Sequence, residues 1–440
     1  MSTTVAVKPG LELEEKIRAR TARVGIVGLG YVGLPLGVEL ARVGFQVTGI
    51  DTDPDKIARI SAGESYVGDV DEKLLRSLVK HHKLSAVTDY AVVEQLDTVN
   101  ICVPTPLRKS RDPDMSYVAT AAEQVAKHLH PGMLVILEST TYPGTTEELI
   151  LPLLERGGLR IDHDFFLCFS PERVDPGNPR FNTCNIPKVV GGVSPRSTEL
   201  AALLYSQAME KVIPVSSTRV AEMVKLLENT FRMINIGLAN EMAMLCDRMG
   251  IDVWEVIDAA ATKPFGFMPF YPGPGLGGHC IPVDPFYLSW KSKQAGAEAR
   301  FIELAGQING QMPLFIVEKV HAALNARRKP LNGSRIHLVG VAYKKNVSDT
   351  RESPALDILA LLAKRGAVLS YTDPFVPQLR HDGPLLASQP LEEAAAAADC
   401  VVVVTDHDGV DYPRLVEVAA LIVDSRNVLK ALRSDKIVRL

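Results

Sequence analysis

The stretch RVGIVGLGYVGLP, residues 23–35, decides the fold of this 440-residue chain. Its first five residues predict a short buried strand, and a helix is expected from about Gly33 onward. Between them, Gly28, Gly30 and Gly33 form the pattern G-x-G-x-x-G. The first glycine permits a tight turn, the second lets the backbone approach a pyrophosphate, and the third lets the helix pack close to the strand. The first N–H groups of that helix would then face the phosphates.

A carboxylate follows this turn at the expected distance. The next apolar stretch, FQVTGID, ends at Asp51, where a carboxylate binds ribose hydroxyls and repels a 2′-phosphate. NAD is therefore favoured over NADP, and Asp53 is a weaker alternative to Asp51. Two later strands end in VPTP (103–106) and ESTT (138–141), at the edge of the sheet where ligands bind. A role in the turn alone is an equal alternative for Thr105. The predicted cofactor-binding residues are Gly28, Gly30, Tyr31, Val32, Gly33, Asp51, Thr105 and Thr140.

The remaining chain divides by pattern into segments. Strand–helix alternation up to about residue 205 predicts a doubly wound α/β domain over residues 21–210. Residues 217–249 contain no proline and have apolar residues at helical spacing, which predicts one long helix that Gly250 ends. Further helices are expected over 252–261 and 295–328, within a helical domain of residues 211–325. Alternation then returns and predicts a second α/β domain over 326–440. Residues 1–20 are expected to be a flexible lead that includes a polar helix.

The composition excludes several classes of function. The chain has 48 basic and 52 acidic residues and a net charge of −4, which argues against binding to nucleic acid or anionic membranes. No apolar run reaches the roughly 20 residues that span a bilayer, and the N-terminus lacks a signal-peptide pattern. Six cysteines without a C-x-x-C pair predict a reducing, cytoplasmic setting and no zinc site. No metal is expected.

One cysteine stands in an unusual loop. Residues 273–288 read GPGLGGHCIPVDPFYL, so four glycines precede Cys280, and Pro282 and Pro285 follow it. Such a loop excludes regular structure just before the thiol and would let a ligand approach it closely. Asp284 is a candidate base four residues later. A catalytic nucleophile is the favoured interpretation for Cys280, and a buried apolar cysteine is the alternative. The other five cysteines lie mostly in apolar runs.

Polar candidates also occur after a strand and on the long helix. Glu172 follows the strand FFLCF in the segment SPERVDPGN, and a solvated turn carboxylate is an equal alternative. Lys225 and Asn229 are four residues apart and therefore share a helix face. They are suited to stabilise an oxyanion. On these residues alone, an exposed polar stripe that includes Glu222 and Arg232 is the favoured interpretation.

Taken together, these motifs resemble those of the nucleotide-sugar dehydrogenases that act on UDP-glucose and GDP-mannose. The resemblance runs from about residue 22 to 427. It rests on GLGYVGLP, EST (138–140), SPERVDPGN, KLLENTFRMINIGLANE, GGHCIPVDP and the segment from Lys344 to Pro354. It implies an NAD-binding first domain, a central helix that forms a homodimer and a UDP-sugar-binding last domain. The implied fold class is α/β, with two Rossmann-like domains joined by the long central helix and a helical dimerisation domain.

The resemblance also implies a reaction. The family oxidises the primary alcohol at carbon 6 of a sugar to a carboxylate with two NAD and one water. Cys280 would carry a thiohemiacetal and then a thioester, and Lys225 and Asn229 would stabilise the oxyanions. Asp284 would activate water with Thr140, and Glu172 would assist hydrolysis. The implied substrate contacts are Glu172, Arg173, Lys225, Asn229, Tyr271, Gly275, Lys344 and Arg351. His279, next to the nucleophile, is a weaker candidate for favouring the thiolate.

Two positions bear on the substrate. The UDP-glucose branch has a lysine where this chain has Val283, and a second glutamate where it has Pro176. The loop around Cys280 instead resembles the bacterial branch that oxidises UDP-N-acetylhexosamines for surface polysaccharides, chiefly UDP-N-acetylglucosamine. UDP-N-acetylgalactosamine, UDP-N-acetylmannosamine and UDP-glucose remain alternatives. A β-hydroxyacid dehydrogenase and a non-catalytic NAD or nucleotide-sugar sensor are the rival interpretations.

Overall fold

The first α/β domain is built around an eight-stranded sheet that begins with the strand preceding the glycine turn. A computed structural model describes residues 9–108, 112–175, 178, 180–278, 280–380 and 385–440. His279 and Pro176 lie outside them. By internal contacts the chain divides into the units Met1–Glu228 and Asn229–Leu440. The strands of the first unit are β1 (Arg23–Val27), β2 (Gln46–Ile50), β3 (Leu84–Val87), β4 (Thr98–Ile101), β5 (Leu134–Leu137), β6 (Phe166–Phe169), β7 (Lys188–Gly192) and β8 (Val212–Pro214).

The order of these strands places the ligand edge. The sheet runs β3-β2-β1-β4-β5-β6-β7-β8, and β1 to β6 pair in parallel. The chain therefore reverses direction across the sheet beside β1, at the switch point where doubly wound folds bind ligands. The strands of the central part are wholly buried, as expected where helices cover both faces. The helices are α1 (Pro9–Arg18), α2 (Gly33–Arg42), α3 (Pro54–Ala62), α4 (Glu72–Lys80), α5 (Ser116–Lys127), α6 (Leu151–Glu155) and α7 (Pro195–Ser206).

Strand β7 departs from the parallel pattern. It pairs antiparallel with β6, with Cys168 opposite Gly192 and Phe169 opposite Gly191. The start of β7 therefore lies at the edge of the sheet where β1 to β6 end. Lys188, the first residue of β7, is consequently carried to the ligand edge, and its side chain is buried.

The N-terminal segment differs from the prediction of a flexible lead over residues 1–20. Residues 1–8 lie outside the described part of the chain, but α1 is folded onto the first domain. Leu13 and Ile17 are four residues apart, so they share one helix face, and both are buried in the core. Arg196 of α7 also donates to Gly10 O and to Glu14. This face is what makes the segment part of the domain.

The predicted long helix is present as α8 (Thr218–Met249), and Gly250 follows it with φ +69°. Its second half belongs to the second unit, together with α9 (Val253–Ala261), α10 (Asp284–Gln294) and α11 (Arg300–Ala326). Ala243 and Trp254 lie in one core cluster with Met312 and Ile316 of α11. No described helix is long and apolar enough to span a bilayer.

The second α/β domain has a five-stranded parallel sheet in the order β10-β9-β13-β14-β15. This is the 2-1-3-4-5 order of the other common doubly wound fold. Its core contains the wholly buried strand β13, from the run ADCVVVVTD. The elements are β9 (Arg335–Val339), α12 (Pro354–Lys364), β10 (Val368–Thr372), α13 (Leu391–Ala397), β13 (Cys400–Val403), α14 (Tyr412–Val418), β14 (Ile422–Asp424) and β15 (Ile437–Arg439), and the short strands β11 (Gln378–Leu379) and β12 (Leu386–Ala387) form a separate hairpin.

Candidate active site

The three glycines of the first turn occupy three different surroundings. Gly28 has φ +91°, and a Cβ there would lie 2.7 Å from the carbonyl oxygen of Cys102. A Cβ on Gly33 would lie 1.9 Å from the carbonyl oxygen of Gly28, which confines this helix position to glycine. A Cβ on Gly30, in contrast, would meet nothing within 4 Å. The open space at Gly30 fits a pyrophosphate that approaches the backbone closely.

Asp51 has capacity left for a ribose hydroxyl. Its Oδ2 accepts from the N–H of Leu29 at 2.8 Å and from Lys56 Nζ at 2.9 Å, and its Oδ1 accepts from the N–H of Asp53 at 3.0 Å. Since a carboxylate offers about four acceptor positions, one remains. The alternative, Asp53, instead caps α3 by accepting from the N–H of Asp55. The sequence analysis missed Lys56, whose signal is its place in the first turn of α3, five residues after Asp51.

The segments that follow β4 and β5 are joined at the same edge of the sheet. Ser139 Oγ donates to Val103 O at 2.7 Å, which ties the segment before Thr105 to the segment before Thr140. Both threonines are half-buried, and Tyr31 is exposed. The prediction that these residues contact a cofactor is compatible with these positions.

Glu172 is part of a buried cluster of charges. Its Oε1 accepts from the N–H groups of Arg173 (2.7 Å) and Val174 (2.8 Å), and its Oε2 accepts from Lys188 Nζ at 3.3 Å. Burial acts to raise the pKa of Glu172, but the charge of Lys188 and the two N–H donors outweigh it and hold that pKa below its usual value. Glu172 is thus a fixed anion, unlike the solvated turn carboxylate that the sequence left open.

Lys225 is buried and has no hydrogen-bond or ion-pair partner within the described residues. Its side chain is 8% exposed, and its charge also lowers the pKa of Glu172. A buried ammonium without a partner is costly, so this amine is suited to a charged or developing oxyanion. The exposed polar stripe is wrong for this helix face, because Glu222 and Asn229 are also buried and Arg232 alone is exposed.

Arg173 has partners in the protein. Its guanidinium makes two contacts with Glu228 of α8, at 2.5 and 3.2 Å, and a third with Pro187 O at 2.6 Å. Arg173 therefore braces the segment after Glu172 against α8. These contacts use three of the five guanidinium N–H groups, so the substrate contact of Arg173 stays a prediction.

The second unit brings together Asn229 and Asp284. Asn229 Nδ2 donates to Asp284 Oδ2 at 2.6 Å, and both side chains are buried. Asp284 opens α10, and its N–H donates to Cys280 O at 2.8 Å, so a single turn separates the thiol from this pair. Of the six cysteines, all of them described, Cys280 is the one that is exposed. The alternative of a buried apolar cysteine is therefore wrong for Cys280.

The glycines before Cys280 allow the loop to pack closely against neighbouring residues, rather than leave open space for a ligand. A Cβ on Gly278, whose φ is +85°, would lie 2.6 Å from the ring of Tyr343, and one on Gly277 would lie 2.8 Å from Tyr343 Cβ. The N–H of Gly278 donates to Arg351 O at 3.2 Å. The glycines before Cys280 thus pack against the segment 343–352, and the backbone of Gly278 is joined to that of Arg351.

The other predicted substrate contacts lie on the same unit. Gly275, with φ +140°, packs against Pro354. Tyr271 stacks on Trp254 and donates to Asp258 at 2.7 Å. Arg351 is exposed and paired with Asp349, whereas Lys344 is half-buried.

In the second α/β domain, the aspartate that is placed like Asp51 has no acceptor free for a ribose hydroxyl. Asp373 follows β10 as Asp51 follows β2, but its carboxylate already has five donors. They are the N–H groups of Val341, Ala342, Phe375 and Val376 and the Nε2 of His407. His407 Nδ1 in turn accepts from the N–H of Asn346. A fully occupied, buried aspartate stabilises its own loop and leaves no acceptor for a hydroxyl.

Comparison with known proteins also assigns NAD binding to the first α/β domain and UDP binding to the second. Residues 22–209, 219–311 and 337–431 match the NAD binding, central and UDP binding domains of the UDP-glucose/GDP-mannose dehydrogenase family. The chain is 38% identical over 356 residues to a UDP-N-acetyl-D-glucosamine 6-dehydrogenase of Pseudomonas aeruginosa, covering 80% of this chain and 83% of the relative.

Two further relatives carry another substrate name. The chain is 35% identical over 394 residues to a UDP-N-acetyl-D-mannosamine dehydrogenase of Methanococcus maripaludis, covering 88% of this chain and 86% of the relative. Its structure superposes on that of a UDP-D-ManNAc dehydrogenase of Pyrococcus horikoshii with a TM-score of 0.87 and 34% identity, covering 95% and 98% of the two chains.

Proposed function

The chain belongs to the UDP-glucose/GDP-mannose dehydrogenase family and is an NAD-dependent oxidoreductase, and we propose that it converts carbon 6 of a UDP-N-acetylhexosamine from alcohol to carboxylate. UDP-N-acetylglucosamine is the first candidate. The observation that carries the proposal is the exposed Cys280, held one turn from the buried Asn229–Asp284 pair. A dehydrogenase that stopped at the aldehyde would need no such nucleophile.

NAD supplies the hydride acceptor for both oxidations. Gly28, Gly30 and Gly33 would hold its pyrophosphate, and Asp51 its adenosine ribose. In the first oxidation the 6-hydroxyl loses its proton to water, carbon 6 gives a hydride to NAD, and an aldehyde results. Lys225, a buried ammonium without a protein partner in the described structure, stabilises the oxygen as negative charge develops there.

Cys280 then retains the aldehyde. Its sulfur adds to the carbonyl carbon, and the thiol proton passes to the oxygen, to give a thiohemiacetal; loss of a hydride to a second NAD and of the hydroxyl proton to water then gives a thioester. Asn229 donates through its Nδ2 to Asp284, so the amide fixes the carboxylate while Asp284 orients a water. Water adds to the thioester carbon, the C–S bond breaks, and the thiol is restored as the acid leaves. Glu172, held as an anion, assists this hydrolysis together with Thr140.

UDP-N-acetylmannosamine is the second candidate substrate. It is the substrate that most of the similar proteins carry in their names, including those of Methanococcus maripaludis and Escherichia coli. The loop around Cys280 and Val283 supports the glucosamine epimer instead. The two sugars differ only in the configuration at carbon 2, which the N-acetyl group marks.

The experiment is an NADH-yield assay with a panel of sugars. UDP-N-acetylglucosamine, UDP-N-acetylmannosamine, UDP-N-acetylgalactosamine, UDP-glucose and GDP-mannose are each supplied in limiting amount, and NADH is counted per sugar consumed. We expect two NADH per UDP-N-acetylglucosamine and a kcat/KM at least 10-fold higher than for the others. One NADH per sugar would support the β-hydroxyacid dehydrogenase reading, and no NADH with any sugar would support a sensor.

A homodimer in the cytoplasm is the proposed setting. The helices α8 and α11 carry exposed apolar side chains that a partner would cover, among them Leu238, Met249 and Phe301. None of the six cysteines, all described, forms a disulfide, which suits a reducing compartment. The uronic acid product would serve surface polysaccharide synthesis.

A further inference from the structure

The reversed strand β7 brings a lysine to an edge of the sheet that normally receives only strand ends. Continuing the register of β6 and β7 from the pair Phe169–Gly191 places Lys188 opposite Glu172. Ser170 Oγ donates to Val189 O at 2.8 Å, which holds this continuation together. The lysine is therefore fixed by backbone pairing beside the predicted catalytic carboxylate.

The ammonium of Lys188 is shared between two carboxylates. Its Nζ lies 2.6 Å from Glu138 Oε2 and 3.3 Å from Glu172 Oε2, and it also donates to Pro171 O at 3.4 Å. Lys188 is 4% exposed and Glu138 is 1% exposed. Glu138 is itself held by Tyr205 and Asn100, which donate to its Oε1. Lys188 and Glu138, with Tyr205 and Asn100, thus form a buried hydrogen-bonded network next to Glu172.

The charges of the cluster favour an ionised Glu172 and a protonated Lys188. Burial raises the pKa of Glu138, whereas the charge of Lys188 and the backbone N–H donors lower that of Glu172 despite its burial. Burial acts to lower the pKa of Lys188, but the two carboxylates raise it above its usual value. Breaking a buried ion pair leaves the other charge uncompensated, so Glu172 depends on Lys188 to stay ionised in this place.

We infer that Lys188 is a positioning residue that holds Glu172 as an oriented anion for hydrolysis of the Cys280 thioester. The inference rests on the proposed function. Lys188 makes no contact with the reacting atoms in this scheme, because it acts through Glu172. Its removal therefore slows the hydrolytic step and leaves the two oxidations that precede it.

The test is rapid-mixing kinetics of Lys188→Met with NAD and UDP-N-acetylglucosamine. We expect a fast burst of about two NADH per active site, followed by turnover slowed about 10- to 100-fold, within the range that general acid–base assistance supplies. Mass spectrometry of quenched enzyme should show the acyl adduct on Cys280. The matched control is Lys211→Met, which removes an exposed lysine beside the same sheet and should behave as wild type.

Dependence on Glu172 is tested by a double mutant. If Lys188 acts through Glu172, Lys188→Met should cost less than threefold in a Glu172→Gln background, since interacting residues are non-additive. Lys188→Gln keeps hydrogen-bond donors without charge and covers the case in which the methionine variant does not fold. For it we expect the acid limb of the kcat–pH profile to move upward by at least one unit.

The outcomes separate the two hypotheses. A wild-type enzyme that yields fewer than two NADH per sugar and no adduct on Cys280 contradicts the proposed function. A wild type that yields two NADH, with a folded Lys188 variant that shows no burst and slows all steps equally, overturns the role of Lys188. Additive effects in the double mutant, or an unmoved acid limb in Lys188→Gln, overturn it as well.

Discussion

At the scale of single residues, the first glycine turn allows a stability effect to be separated from a binding effect. Gly30→Ala places its Cβ in open space, so the melting temperature should stay within about 2 °C of wild type, as for a neutral surface change. NAD affinity should fall at least 10-fold, because the methyl group occupies the approach of the pyrophosphate. Thermal melting and NAD titration measure the two effects.

Gly33→Ala is the matched control for this prediction. Its Cβ would overlap the carbonyl oxygen of Gly28, a backbone atom that has no room to move. We expect a marked loss of folded protein or of melting temperature before any effect on NAD can be assigned. Unchanged NAD affinity in a folded Gly30→Ala would contradict the assignment of this turn to the pyrophosphate.

Cys280→Ser tests the covalent step. A serine keeps the size of the side chain but is a far weaker nucleophile at neutral pH. Acid formation should fall by about 10³-fold or more, while the Kd for the UDP-sugar, measured by calorimetry, should change less than threefold. Cys184→Ser, at a half-buried cysteine, is the control. Uronic acid formed at the normal rate by Cys280→Ser would exclude a thioester intermediate.

Site residues that lie close together along the chain could be predicted from the sequence. Residues that only the arrangement of the strands brings together could not. The turn glycines and Asp51 follow from a motif with fixed spacing, and Asp51 accepts from the N–H of Leu29 in that turn. Lys188 has no such signal, since only the antiparallel pairing of β7 brings it to Glu172. For Arg173, the sequence showed a cation near the site but not the partner, Glu228, that engages it.

At the scale of elements, α8 is fastened to the segment that follows β5. Glu222 of α8 is wholly buried and accepts from the N–H groups of Gly144 (2.6 Å) and Thr146 (2.9 Å) and from Thr146 Oγ1 (2.7 Å). This carboxylate supplies acceptors for the start of the helical turn Thr146–Ile150. It therefore sets the segment carrying Thr140 against the helix carrying Lys225.

This fastening should depend on pH. Burial, with a contribution from Glu147, raises the pKa of Glu222 to about 7, from a usual value of 4.5. The folded state thus holds a proton between pH 4.5 and 7 that the unfolded state releases, so the contribution of Glu222 to stability decreases as pH rises through this window. The difference in melting temperature between wild type and Glu222→Gln should shrink from pH 5 to pH 8. Glu241→Gln, on the same helix, is the control, and a difference that grows with pH would contradict the prediction.

The elements themselves were predictable where periodicity was strong. The long helix was expected over 217–249 and is observed over Thr218–Met249, because an uninterrupted apolar period and a terminal glycine define it. In contrast, the prolines and glycines around Cys280 predict a loop where α10 begins. Pro285 stands in its first turn, where proline is tolerated. The polar character of residues 1–20 predicts a lead, whereas the structure shows that Leu13 and Ile17 of α1 are buried in the core.

At the scale of the whole molecule, the two doubly wound domains each carry an aspartate after their second strand. The two carboxylates differ in how many hydrogen-bond donors they already have. Asp51 retains an acceptor position, whereas five donors saturate Asp373. The fold class and the family predicted from sequence are confirmed, because order and spacing of motifs over most of the chain specify both. The choice among N-acetylhexosamine epimers depends on the surroundings of carbon 2 for the manno epimer and of carbon 4 for the galacto epimer, which no local motif encodes.

The proposed homodimer follows from an apolar face on the second half of α8. Phe231, Leu238, Met242, Leu245 and Met249 are all exposed and recur at intervals of three, four or seven residues, so they form one stripe. Phe301 and Leu304 at the start of α11 are exposed as well. Exposed apolar groups of this extent on neighbouring helices are typical of a protein–protein interface.

Introducing charge into this stripe should separate the subunits. We expect light scattering to give a dimer for wild type and a monomer for Leu238→Glu combined with Leu245→Glu, because two buried carboxylates without partners would oppose association. Val368→Glu, at an exposed apolar position on β10, is the matched control and should remain dimeric. The double variant should keep NAD affinity, since Gly28, Gly30 and Asp51 lie in the other unit. A wild-type monomer, or a dimer that survives both charges, would show that this stripe is not the interface.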